Sequence, residues 1–271
     1  MGSNGSKGWQ LKGSKAGQFI FPAAARVIYT KDKSMLRSIK QLYGDKLGAS
    51  DGEIGRVKDF YFDDQNWAVR YVVADTGTWL TSRQVLLSPH ALANAYPAGD
   101  VLTFNLTRKQ IEDSPSIELH KPVSRQYEEE YYRYYGWPSY WQGDGLWGIN
   151  GVPILELPAK PFPGGPAAAI DPPHEHADAH LRSTQAVGGY HLQASDGMIG
   201  HVCDFMMDDQ NWAIRQLVIK TGHRFSGKEV QIPTRKVDRI SYPNSTVFVS
   251  LTREAVEQSS APHLAPAGAV A

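Results

Sequence analysis

The residues with most capacity for chemistry are two pairs of adjacent carboxylates, Asp63-Asp64 and Asp208-Asp209, each with a further aspartate four positions earlier, Asp59 and Asp204. Carboxylates so close together can hold a hard cation or separate their pKa values for acid–base work. Each pair runs straight into Gln-Asn, however, and a calcium site needs about six to eight oxygen ligands at a loop spacing that is missing here. The preferred reading is a polar turn whose acids face solvent, with a weak metal option at Asp63, Asp64, Asp208 and Asp209. His174, Glu175, His176 and His180 have ligand types suited to zinc or nickel, but Pro172-Pro173 and interspersed alanines place them on a linker. Cys203 is the one cysteine, which excludes an internal disulfide and a cysteine-based zinc site; it reads as an unreactive strand thiol.

A second concentration of functional types is aromatic. Tyr127, Tyr131, Tyr132, Tyr134, Tyr135, Trp137, Tyr140, Trp141 and Trp147 lie within one short stretch. Tyr127, Tyr131, Tyr134 and Tyr135 fall at i, i+4, i+7 and i+8, one face of a helix. Ser124 is a candidate N-cap, Glu128 to Glu130 suit the positive helix end, and Gly136 with Pro138 stops it. An aromatic face must be covered, either by the rest of the chain or by a partner surface of the kind enriched in Tyr and Trp. Tyr127, Tyr131, Tyr134, Tyr135, Trp137, Tyr140 and Trp141 are therefore candidate interaction residues, and so are Trp67 and Trp212, which follow the acidic turns and suit barrel-end packing or a binding hot spot.

These groups are positioned by an internal repeat. Shifting the chain by 145 residues aligns Leu36–Gly77 with Leu181–Gly222 without a gap, and about 30 of about 79 positions match over 36–114 and 181–259. In each copy, Ser50-Asp51-Gly52 or Ser195-Asp196-Gly197 opens a hairpin. The apolar spacing of Val57, Phe60 and Phe62 predicts a β-bulge near Lys58 or Asp59, with Val202, Phe205 and Met207 repeating it. Alternating strands begin at Trp67 and Trp212, where Arg70 and Arg215 can pair with Asp59 and Asp204. Shorter strands cover 85–89, 101–106, 230–233 and 246–251. Thr107 and Gln110 form a capping box, and Thr252 caps the matching turn. Short strands at this spacing favour a small closed barrel.

The segments DGEIGRVKDFYFDDQNWAVRYVVADTG and DGMIGHVCDFMMDDQNWAIRQLVIKTG resemble the PRC-barrel family, the β-barrel of the photosynthetic reaction centre H subunit that also occurs in a ribosome maturation factor. The region 36–259, with PVSRQYEEEYYRYYGWPSYW between the copies, is similar to tandem bacterial PRC-barrel proteins without a membrane helix. The resemblance implies two compact barrels and protein–protein contact, with no shared reaction. A second expectation it carries is a peripheral accessory of electron transfer, like the H subunit. That subunit has one membrane helix and one barrel, and the ribosomal factor pairs its barrel with one of another type, so the two similar copies here depart from both.

Composition narrows the class further. Hydrophobic residues make up 41% and charged residues 21%, as in a globular protein, and no apolar run of about 18 residues is present to span a membrane as a helix. Residues 1–35 carry six basic groups against one acidic, whereas 36–114 carry nine and ten and 181–259 nine and eight. Near-neutral copies lack the basic face that binds phosphates, which argues against nucleic acid. The expected organisation is a basic arm (1–35), barrel one (36–120), an aromatic helix and Pro/Gly/His linker (121–180), barrel two (181–260) and a disordered tail (261–271). Met35 precedes the repeat directly, so the arm reads equally as a mis-assigned start, a fusion remnant or an interaction tail. The whole predicts a mainly β, cytoplasmic, non-enzymatic binding protein without cofactor, engaging a protein partner or a second copy of itself, with peripheral membrane association as an option.

Overall fold

The computed structural model describes residues 35–77, 80, 83–93, 101–115, 125–141, 145–149, 181–222 and 227–259. The expected basic arm, Ser124 cap, Pro/Gly/His linker and carboxyl tail lie outside them. The first copy supplies β1 (Leu36–Ser38), α1 (Ile39–Leu42), β2 (Lys46–Ala49), β3 (Gly52–Asp63), β4 (Ala68–Asp75), β5 (Gln84–Leu87), β6 (Val101–Thr103) and α2 (Arg108–Glu112). Between the copies lie α3 (Arg125–Tyr135) and β7 (Leu146–Ile149). The second copy supplies β8 (Leu181–Ser183), α4 (Thr184–Val187), β9 (His191–Ala194), β10 (Gly197–Asp208), β11 (Ile214–Thr221), β12 (Glu229–Pro233), β13 (Val237–Ser241), β14 (Thr246–Val249) and α5 (Arg253–Gln258). The protein is mainly β, and among the described residues no helix is long and apolar enough to cross a membrane.

Two sheets form, in the orders β5-β4-β3-β2-β6 and β12-β11-β10-β9-β14-β13. Neighbours run antiparallel except β2 with β6 and β9 with β14, which are parallel. Asp51 and Asp196 each accept from the first helical N–H of α2 and α5 (Arg108 and Arg253), at 2.8 and 2.7 Å, tying hairpin to terminal helix. The expected bulges occur at Val57/Asp59 and Val202/Asp204, and a second pair at Tyr61/Phe62 and Met206/Met207. Each extra residue re-aims the strand, so Val57, Phe60 and Phe62 all reach the interior despite their uneven spacing. Gly55 has φ +139°, and a Cβ there would lie 2.0 Å from the Asp75 carbonyl oxygen, so the close approach of the end of β4 to β3 requires glycine.

Neither sheet closes into a barrel among the described residues. Closure needs the two edge strands to pair, but β12 ends at Pro233 and the chain turns through a 3-10 segment, Thr234–Lys236, into β13 instead of laddering with it. In the first copy, Pro89–Ala91 turns the same corner after β5. The arginine pairing also differs from expectation. Arg70 meets Asp63 at 3.0 Å and Arg215 meets Asp208 at 3.2 Å, because Asp59 and Asp204 sit at bulges that turn them to the opposite copy.

That opposite copy supplies a strand to each sheet. β1 pairs with β10 in the second sheet, Leu36 opposite Asp208, while β8 pairs with β3 in the first, Leu181 opposite Asp63. The sequence boundaries assign β1 to the first barrel and β8 to the second, yet each completes the other's ladder. The described residues fall within one compact unit, and one continuous apolar core runs through both sheets and the aromatic connector.

Candidate functional site at the junction of the two copies

The identical residues of the repeat concentrate where the copies meet. A two-fold-like contact uses the same patch from both sides, so the same side chains must serve twice. Leu-Arg-Ser opens both exchanged strands. Ser183 donates through its hydroxyl to Asp59, which also accepts from Thr184 Oγ1 at 2.9 Å and from the Gln185 N–H at 3.1 Å. The mirror set places the Ser38 hydroxyl and the Lys40 N–H on Asp204, the latter at 2.9 Å. Each aspartate thus binds the first turn of the helix that follows the exchanged strand, as an anion at an N-terminus should. Arg182 pairs with Asp64 at 3.2 Å and Arg37 with Asp209 at 3.3 Å.

The turns Asp63–Trp67 and Asp208–Trp212 touch directly. The Val69 N–H donates to the Trp212 carbonyl at 2.9 Å and the Ile214 N–H to that of Trp67 at 2.6 Å, with Ala68 opposite Ala213. Both tryptophans have positive φ, +53° and +60°, a conformation that bulky residues adopt only when the surroundings hold them there. Trp212 is buried, its ring 6.3 Å from Phe60 of the other copy; Trp67 stacks on Phe62 at 5.6 Å. The expectation that the paired acids face solvent is corrected here. Asp63 and Asp208 are buried, since their carboxylates accept from the turn's own N–H groups and from arginine.

Burial works against ionising Asp63, but hydrogen bonding from Asn66 and the charge of Arg70 outweigh it and hold the carboxyl below the usual carboxylate range. Asp59 lies on the other side of that balance: burial raises it, and the bonds from Ser183, Gln185, Thr184 and Phe60 only partly offset this. The two have opposite linkage signs. Asp63 contributes stability above an unfolded value near 3.9 and loses it as pH falls through its lowered folded value, while the contribution of Asp59 is full below that point and shrinks as pH rises through its raised value. Asp63→Asn should flatten the acid limb of stability. Urea midpoints measured from about pH 4 to about pH 2 should fall less in the variant than in the parent, and equal slopes would remove Asp63 from the acid response.

The aromatic connector packs onto the outer face of the first sheet. Tyr131, Tyr132, Trp137, Tyr140 and Trp147 are buried, Tyr127, Tyr135, Trp67 and Trp141 partly so, and Tyr134 is 43% exposed. The buried face of α3 is therefore turned from the expected one, taking in Glu128 and Tyr132 and leaving Tyr134 outside. Glu128 explains the rotation. Its buried carboxylate accepts from Tyr71 at 2.9 Å and Tyr140 at 2.7 Å. Burial, then the neighbouring carboxylate, push the Tyr71 phenol well above its ordinary value, so it stays a protonated donor. Arg70 is 1% exposed: its guanidinium bonds Asp63, donates to the Leu146 carbonyl at 2.5 Å and lies 3.9 Å from the Tyr140 ring centroid. Trp147 donates to the Asn211 carbonyl at 2.7 Å, which ties the connector to the second copy's turn.

Sequence reasoning missed Glu128, Tyr71 and Arg70 as anchors, although a signal existed. At outward positions the copies differ as Tyr71 against Gln216, Leu86 against Gln231 and His90 against Arg235, so only the first offers an apolar, aromatic-accepting face. Among the described residues no group of three or more His, Cys, Asp or Glu converges as a metal site, and the His174–His180 cluster lies outside them. Cys203 is half-buried, and burial, then Glu229 and Asp204, push its thiol up to about 11, so it is neutral at physiological pH. No protein-family model matches this chain, and no curated protein matches it.

Proposed function

We propose that this chain is a tandem of two PRC-type barrels acting as a cytoplasmic binding scaffold rather than an enzyme, recognising a protein partner or a second copy of itself. The observation that carries the reading is the reciprocal strand exchange. It locks two similar sheets at a set spacing: Asp59, Asp64, Asp204 and Asp209 bond residues of the opposite copy, and Asp63 and Asp208 fix the turns that meet there. Carboxylates bonded to serine, arginine and helix N–H groups are arranged for rigidity, not for proton transfer to a substrate. Each open sheet is the wall of a barrel finished by side-chain packing instead of a closed ladder. Most of the aromatic connector is consumed in fixing itself to the first sheet, and the rim around Tyr134 is what it presents outward.

The test places a photo-crosslinking benzoyl-phenylalanine at position 134 in cells. A discrete protein adduct is expected, and light scattering of the purified chain separates a second copy from a foreign partner. A folded variant that yields only diffuse background would sink the assignment of this rim as a binding surface.

A further inference from the structure

The two copies differ at one point of the junction in a way that opens a cleft. In the first copy, Tyr43 follows α1 and lays its ring over Phe60, centroids 6.0 Å apart, with its hydroxyl bonded to Thr184 Oγ1 at 2.8 Å. The residue 145 positions on is Gly188, which offers only backbone where the first copy has a ring, and the strand residue two before the phenylalanine is Cys203 where the first copy has Lys58. Two large side chains are thus replaced by small ones on the same side. The result is a cleft of about 320 Å³ between α1, α4 and β10, lined by Tyr43, Gly188, Cys203 and Phe205, with Lys40 and Asp204 among its polar groups. That volume is at the small end of ligand pockets, enough for one ring with a short substituent.

We propose that this cleft binds a compact aromatic carboxylate, its ring standing over Phe205 as Tyr43 stands over Phe60 and its anionic group meeting the Lys40 ammonium. The charge balance selects the sign. Asp204 is already occupied by the Ser38 hydroxyl and by backbone N–H groups of Lys40 and Phe205, whereas Lys40 has no ion pair with any described carboxylate. An anion gains a charge-assisted contact with the unpaired Lys40 ammonium, whereas a cation finds the charged Asp204 oxygens already engaged by three donors. The neutral, half-buried Cys203 thiol serves as a small polarizable wall. The inference is independent of the scaffold reading, since a small-molecule site at the junction requires no protein partner.

The probe is 4-fluorobenzoate, titrated against the full chain and followed by fluorine NMR. Saturable binding is expected, several-fold weaker for Lys40→Gln and for the neutral 4-fluorobenzamide. Gly188→Tyr restores the first-copy ring and Cys203→Leu fills the same wall without adding charge, and each should abolish it. Should Gly188→Tyr fail to fold, Cys203→Leu carries the test, because the matching strand position of the first copy already holds the larger Lys58. Saturating probe should also slow alkylation of Cys203 by N-ethylmaleimide, read without ambiguity because the chain has a single cysteine. Absence of saturable binding, binding that persists in folded Cys203→Leu, or unchanged alkylation would each overturn the proposal.

Discussion

Arg70→Ala should cost about 3–5 kcal/mol of folding stability, whereas Arg215→Ala, at the matching position of the repeat, should cost no more than about 1 kcal/mol. The two arginines follow the same turn, Asp-Asp-Gln-Asn-Trp-Ala, and pair with matching aspartates at 3.0 and 3.2 Å. Their exposure separates them. The side chain of Arg70 is 1% exposed beneath Tyr140 and Trp147, while that of Arg215 is 50% exposed. Removing Arg70 strands the buried Asp63 carboxylate without its partner, leaves the Leu146 carbonyl without its donor and takes away the cation between two rings. Removing Arg215 takes away a guanidinium that is already half in water, and the Asp208 carboxylate keeps the Gln210 N–H. Urea unfolding of the two variants reads the difference, and equal losses would mean that the connector does not cover the first sheet.

Cutting the chain between the copies should leave one non-covalent complex. When residues 1–150 and 178–271 are produced as separate polypeptides in one cell, they are expected to purify together at a one-to-one ratio and to unfold in a single transition. Each fragment alone lacks the strand that completes its sheet: the first lacks β8 with Ser183 and Thr184 against Asp59, and the second lacks β1 with Ser38 and Lys40 against Asp204. It would also expose Phe60, Phe62, Phe205 and Trp212, which the contact buries. Uncovering that much aromatic surface outweighs the stability of a domain this small. The measurements are the mass of the mixture by light scattering and calorimetry of the intact chain. Two independent transitions, or a fragment folded as a monomer, would show that the copies are autonomous barrels.

Much of the local structure was legible because it depends on near neighbours. The bulge followed from the uneven spacing of Val57, Phe60 and Phe62, the hairpins from Ser-Asp-Gly and Asp-Gln-Asn, and the cap from Thr107 and Gln110, which bond reciprocally as expected. The candidate site was legible only in its residue types. Asp63 and Arg70 are both visible in the sequence, but spacing alone pairs Arg70 with Asp59, and it is the second bulge at Tyr61/Phe62 and the turn of Asp59 to the opposite copy that give Asp63 the arginine. Asp59 instead turns toward Ser183, a residue more than a hundred positions away, and spacing within one copy carries no information about the other.

By itself the sequence determined a 145-residue internal repeat, a mainly β pattern, acidic turns and an aromatic helix between the repeated segments, since turn chemistry and cap residues act over a few positions. Only the tertiary structure decided which strand completes which sheet, which sheet the connector covers and that Asp63 and Asp208 are buried. Those outcomes turn on differences between two nearly equivalent partners. Leu-Arg-Ser opens both exchanged strands, so its pattern fits either sheet equally well, and the choice falls to contacts far along the chain: Trp212 against Phe60, Tyr71 and Tyr140 on Glu128, and Trp147 on the turn of the opposite copy.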